Sequence, residues 1–88
     1  MFLLYSTTGC HLCDEAKQLL KSTGLTEFSG EELSDRIKVM KVVDVADDER
    51  LFEKYGTRIP VLVSVHHNRE LAWPFDLLTA SDFVRVYQ

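Results

Sequence analysis

Apolar and polar positions alternate in short blocks along the chain, and each block has a period that assigns it to a strand or a helix. Phe2-Leu3-Leu4-Tyr5 is an apolar run closed by Ser6-Thr7-Thr8-Gly9, which predicts a buried strand entering a loop. Over residues 11 to 22, Leu12, Ala16, Leu19 and Leu20 fall on an arc of roughly 100° at about 100° per residue, one stripe of a helix. Gly24 supplies its C-terminal stop. Ser29-Gly30-Glu31-Glu32 has the form of a capping box and predicts a helical turn over residues 30 to 35. Ile37 to Val43 is β-branched and apolar on both faces except at Lys38 and Lys41, as expected of a parallel strand covered on both sides.

The second half follows the same logic. Asp47-Asp48-Glu49-Arg50 places acids at the start of a helix through Leu51–Tyr55, and Gly56 halts it. Val61–Val65 reads as a strand and His66-His67-Asn68-Arg69 as a turn, with Glu70-Leu71-Ala72-Trp73 as the hairpin partner. Thr79, with Asp82 three residues on, predicts the cap of a last helix that turns Phe83, Val84 and Tyr87 inward. The order β-α-β-α-β-β-α describes an α/β fold, a mixed four-stranded sheet with helices on both faces. No repeat or linker interrupts it, so residues 1–88 are expected to form a single domain.

Composition narrows the function classes. With 45% hydrophobic and 27% charged residues the chain has the make-up of a folded domain, not of a disordered one. Its net charge is −4 and its lysines and arginines are scattered, which argues against nucleic acid and anionic membrane surfaces as partners. No apolar stretch is long enough to span a bilayer, and Met1–Tyr5 lacks the basic start of a signal peptide. The expected setting is therefore the cytoplasm, and the expected state a monomer.

The two cysteines, Cys10 and Cys13, stand where the first loop becomes the first helix. Unpaired N–H groups and the positive end of the helix dipole favour a thiolate there, with a pKa in the roughly 3.5–7.5 range of such thiols. Asp14 and Glu15 oppose this. On the helical wheel Cys13 borders the apolar stripe and Cys10 lies about 60° further out, so Cys10 is the expected attacker and Cys13 the shielded resolver. Three other readings stand beside this one. The pair could be a structural disulfide, although so short a loop stabilises by only about 2 kcal/mol. It could hold zinc with His66 and His67, if the hairpin tip lay beside the first helix. His11 could tune the thiolates as an imidazolium, although the helix terminus disfavours that charge.

A Cys-x-x-Cys opening a helix after a first strand, joined to a proline opening a later strand in Thr57-Arg58-Ile59-Pro60-Val61, resembles the thioredoxin superfamily, and the whole chain looks like a glutaredoxin-like member of it. That resemblance implies a thioredoxin fold and a thiol–disulfide oxidoreductase with Cys10 as nucleophile and Cys13 as resolving thiol. It also implies a cis Ile59–Pro60 peptide and a substrate-binding edge of Ile59, Pro60, His11 and Arg58. No metal and no cofactor beyond the redox-active Cys10–Cys13 disulfide is required. The expected partners are a disulfide-bearing protein or small molecule and an external thiol reductant, glutathione or a thioredoxin system. Glutaredoxins commonly carry Pro-Tyr between the cysteines, a lysine just before them, and a Gly-Gly turn and an Asp before the last helix that grip glutathione. Here His11-Leu12, Ser6-Thr7 and Arg69–Asp76 stand at those places, so glutathione is an optional ligand and not an implied one. Trp73, Phe75 and Asp76 could form a different rim, or the two aromatics could close the edge of the core. The alternatives are an iron–sulfur or other metal-binding glutaredoxin-like module, and a thioredoxin-fold interaction domain without turnover.

Overall fold

The computed structural model describes residues 1–27 and 38–88. Strand β1 (Phe2–Ser6) is followed by helix α1 (His11–Ser22), β2 (Thr26–Glu27) and β3 (Val39–Asp44). A 3-10 turn (Val45–Asp47) leads into α2 (Glu49–Tyr55), the hairpin β4 (Val61–Ser64) and β5 (Arg69–Ala72), and α3 (Leu77–Tyr87). The sheet has the order β2-β3-β1-β4-β5. It therefore has five strands where the hydrophobic pattern predicts four. The added edge strand β2 is two residues long, polar and exposed, so no alternation could reveal it; it pairs parallel to β3 through Thr26 and Val39. The capping box at Ser29–Glu32, the helical turn expected over 30–35 and Ile37 lie outside the described residues.

Strand β1 lies at the centre, parallel to β3 (Leu4 opposite Val42) and antiparallel to β4 (Leu4 opposite Leu62). Alternation along it divides the core in two, because successive side chains leave a strand on opposite faces. Phe2 and Leu4 join Ala16, Leu20, Met40, Leu62, Phe75, Phe83 and Val84 on the face covered by α1 and α3. Leu3 and Tyr5 pack on the other face with Val45, Tyr55, Val61 and Val63, beneath α2. Trp73 and Phe75 meet edge to face at 5.0 Å and close the border of the larger core, with Phe75 buried. All four residues of β4 are buried, and Ser64 satisfies its hydroxyl by donating to the Tyr87 carbonyl at 2.8 Å.

The helix ends follow from side-chain chemistry. Asp48 caps α2, its Oδ1 accepting from the N–H groups of Arg50 at 2.8 Å and Leu51 at 3.3 Å. Helix α3 begins earlier than the Thr79–Asp82 pattern predicts: Asp76 is its cap and accepts from the Thr79 N–H at 2.8 Å. The first turn of α3 thereby takes in Leu77 and Leu78, whose exposure hides them from any apolar stripe. The last helical residue of α1 is followed by Thr23 and then Gly24 at φ +101°, a conformation that favours glycine. Gly56 is different. Its backbone is right-handed, and an added Cβ would run into the Phe52 carbonyl oxygen. The hairpin turn occupies Val65–Asn68, one residue earlier than the sequence suggests, because Ser64 pairs with Arg69.

Candidate active site

Cys10 is the N-cap of α1. Its backbone is extended (φ −88°, ψ 104°), and its Sγ accepts the Cys13 N–H at 3.1 Å while its carbonyl accepts from the Asp14 N–H at 3.2 Å. The preceding Gly9 sits at φ +77°, with nothing near its missing Cβ; glycine serves the backbone turn there, not a close contact. Cys10 and Cys13 are joined as a disulfide, their Cα atoms 5.2 Å apart. Only 4% of Cys13 is exposed, whereas Cys10 is half-buried. The outer and inner positions expected from the helical wheel are those observed. Leu12 departs from it. At 47% exposure it does not belong to the buried stripe: it stands in the first turn of α1, and the buried residues of the helix begin at Cys13.

The topology gathers the other sequence-predicted residues at the same end. Tyr5 pairs with Val61, so Pro60 lies level with the end of β1, from which the chain runs to Cys10. The Ile59–Pro60 peptide is cis, as is Trp73–Pro74, which nothing in the sequence singled out. Pro60 is fully buried and its carbonyl accepts the Trp73 N–H at 3.0 Å. Ile59 packs on the smaller core, and its N–H donates to the Tyr55 carbonyl at 3.0 Å. What Ile59 retains for an extended ligand is its own carbonyl. His11 is almost wholly exposed, with its Nε2 3.6 Å from Glu15. His66 and His67 lie elsewhere. Phe2 pairs with Ser64, so the turn that carries them is at the opposite end of the sheet from the cysteines. Zinc shared between the cysteines and these histidines is thus ruled out by strand direction, and no group of three potential metal ligands forms among the described residues.

Beside the disulfide a cleft of about 370 Å³ opens between α1 and the ends of β1 and β3, lined among others by Cys13, Asp14, Lys17, Thr8 and Asp44. Asp44 accepts from the Ala46 N–H at 2.9 Å and from the Thr8 hydroxyl at 3.3 Å. The Ala46 N–H foremost, then the Thr7 hydroxyl and more weakly Thr8, hold its carboxyl below the usual range. Lys17 reaches across to Glu27 at 3.9 Å.

Arg58 is engaged in a network that the sequence reading did not anticipate. Its guanidinium donates to Glu70 Oε1 at 2.7 Å, and the Tyr55 hydroxyl donates to Oε2 of the same carboxylate at 2.6 Å. The guanidinium also lies over the Tyr55 ring, which stacks on Tyr5 with centroids 4.4 Å apart. The network ties the segment before Pro60 to β5. Its only signal in the sequence is an Arg and a Tyr on one side of the proline and a Glu in the strand beyond, separations no local pattern connects.

Glu70 is held below the ordinary carboxylate range by the Tyr55 and Arg58 hydrogen bonds, and Tyr55 is pushed up to about 12, mainly by burial and then by Glu70. A depressed carboxyl contributes stability that is present above its unfolded pKa and lost as pH falls through its folded one. A raised phenol contributes stability below its unfolded pKa, near 10, that is lost as pH climbs toward about 12. Urea unfolding from pH 6 down to pH 2 should therefore show a weaker acid-induced loss for Glu70→Gln than for the unmodified protein. Parallel acid limbs would mean that the network stabilises nothing.

Comparison with known proteins places this geometry in a family. No curated protein matches the chain. An X-ray structure of the structural-genomics target protein XcR50 from X. campestris is 31% identical, with full coverage of both chains and a TM-score of 0.76. The solution structure of the same target, also 31% identical, gives 0.73 and covers 99% of this chain and 95% of its own. Over residues 2–81, from the start of β1 into α3, the sequence fits the model described as "Glutaredoxin-like domain (DUF836)". A dithiol pair capping the first helix and a proline opening β4, on a thioredoxin-like fold, are thus the features of a chain that belongs to the glutaredoxin-like family.

Proposed function

We propose that the protein is a thiol–disulfide oxidoreductase. The Cys10 thiolate attacks one sulfur of a substrate disulfide, forming a mixed disulfide and expelling one substrate thiolate. Cys13 then loses its proton and attacks Cys10 Sγ, releasing the second substrate thiolate. The substrate gains two electrons and the Cys10–Cys13 disulfide remains, to be reopened by an external thiol reductant such as glutathione or a thioredoxin system. One observation carries the reading: the disulfide lies at the N-terminus of α1, with Cys10 Sγ receiving a backbone N–H and Cys13 shielded behind it. The same N–H and the helix dipole would stabilise a Cys10 thiolate after reduction. Ile59, through its carbonyl, and Pro60 form the facing edge, with His11 at the rim. Arg58 supports that edge through its Glu70 bond, with 42% of its side chain exposed. The protein would act as a monomer in the cytoplasm, with no cofactor other than its own dithiol.

Alkylation of the reduced protein with iodoacetamide across pH 4–10 tests the proposal. Cys10 should react with a midpoint below about pH 7.5. A midpoint near the ordinary thiol value of about 8.5 would favour an interaction domain without turnover.

A further inference from the structure

The end of the molecule that carries the cysteines also carries an apolar rim. Strand β5 runs parallel to β1, since both are antiparallel to β4, and Ala72 pairs with Val61. The chain thus leaves β5 at the Cys10 end, and α3 starts there with Leu77 and runs back, ending with Tyr87 beside Ser64. Helices α1 and α3 cover the same face of the sheet and touch each other. They run in the same direction, so both start at the end of the sheet that carries the cysteines. Three of the large apolar side chains exposed among the described residues belong to these two first turns: Leu12 at 47%, Leu77 at 49% and Leu78 at 73%. Scattered apolar residues need no explanation, but three in the first turns of two helices that start at the dithiol end do.

Charge states what kind of partner fits. Lys17 and Arg58, two of the cations near this end, already face Glu27 and Glu70 at 3.9 and 2.7 Å, Lys54 lies over the Tyr55 ring beside Arg58, and His11 is 3.6 Å from Glu15. Asp14, Asp44 and Asp76 have no cationic side chain within bridging distance among the described residues, which leaves the surroundings of the disulfide negative. Glutathione, a small peptide with two carboxylates and one ammonium group, is repelled by such a field and is too short to cover the rim. We propose that the substrate is a disulfide carried by a polypeptide with apolar and basic residues beside its cysteines, docked on Leu12, Leu77 and Leu78. This rests on the oxidoreductase reading and specifies its substrate class.

The test is single-turnover reduction by the fully reduced protein of four oxidants. These are a peptide disulfide flanked by Leu and Lys, the same peptide with Asp and Glu flanks, oxidised glutathione and bis(2-hydroxyethyl) disulfide. The Leu/Lys peptide should react about tenfold faster than the acidic peptide and oxidised glutathione at low salt. Its lead over the acidic peptide should shrink in 0.5 M salt, where charges are screened within a few ångströms. In Leu77→Ser/Leu78→Ser the rate with the Leu/Lys peptide, divided by that with the hydroxyethyl compound, should fall about tenfold. Leu78→Ser alone, at the most exposed of the three positions, should lower it in the same direction if the double variant is poorly folded. Equal or faster reaction of glutathione or the acidic peptide, or an unmoved ratio in both variants, would overturn the docking surface and leave the dithiol chemistry intact. Failure to reduce any of the four would instead remove the oxidoreductase reading, and the docking surface with it.

Discussion

Replacing Cys10 with serine is expected to reduce thiol–disulfide exchange to the uncatalysed background. Replacing Cys13 with serine should leave the first chemical step intact and stall the second. The asymmetry follows from the burial of the two sulfurs. Cys10 is half-buried at the cap, where an incoming disulfide meets it, whereas Cys13 is 4% exposed and bonded to Cys10. A serine at position 10 keeps the hydrogen-bonding cap but has no thiolate, so the nucleophile is lost without loss of the helix. A serine at position 13 leaves the mixed disulfide with nothing to resolve it. Intact-mass analysis of the Cys13→Ser protein after exposure to a peptide disulfide should show a stable adduct of one peptide per chain. The Cys10→Ser protein should show none. Adducts on Cys13 of the Cys10→Ser protein, formed at a comparable rate, would reverse the assignment of roles.

The largest effect on stability is expected from Leu4→Ala. Leu4 is fully buried on the central strand, level with Val42 on one side and Leu62 on the other, and packs beneath α1 and α3. Removing a buried leucine side chain costs about 2–5 kcal/mol, more where the surroundings cannot collapse into the gap. A domain of this length has a total stability of about 4–13 kcal/mol, so the loss is a large share of it. The melting temperature should drop by roughly 10 °C or more. Leu12→Ala, at a half-exposed position with the same side chain, should stay within about 0.5 kcal/mol. Similar melting temperatures for the two variants would mean that the core is not organised around β1 as described.

The contrast between these two leucines also shows how far the sequence could be read. Elements with a simple local pattern were legible: the apolar run Phe2–Tyr5 as a buried strand, and the helical spacing of Ala16, Leu19 and Leu20. The cysteine pair was legible because its chemistry depends on local position alone, the start of a helix after a strand. Leu12 has the right spacing for the stripe but the wrong height along the helix axis, and periodicity carries no information about height. Strand β2 consists of Thr26 and Glu27, both exposed, and is defined by backbone pairing with β3. The true cap of α3 competes with Thr79 in the sequence, and Asp76 prevails in the fold. Around the site, the contacts of Arg58 with Tyr55 and Glu70 depend on which strands become neighbours, so they emerge only once the sheet is assembled.

The hairpin turn at Val65–Asn68 offers a practical consequence. Its backbone is anchored by the Val65 N–H bond to the Met1 carbonyl at 3.2 Å, and its side chains project from the pole remote from the dithiol. A dye or a surface tether attached at His66 would leave the reactive pole pointing into solution. Electrode-bound or single-molecule measurements could then follow the chemistry without the attachment obstructing incoming oxidants.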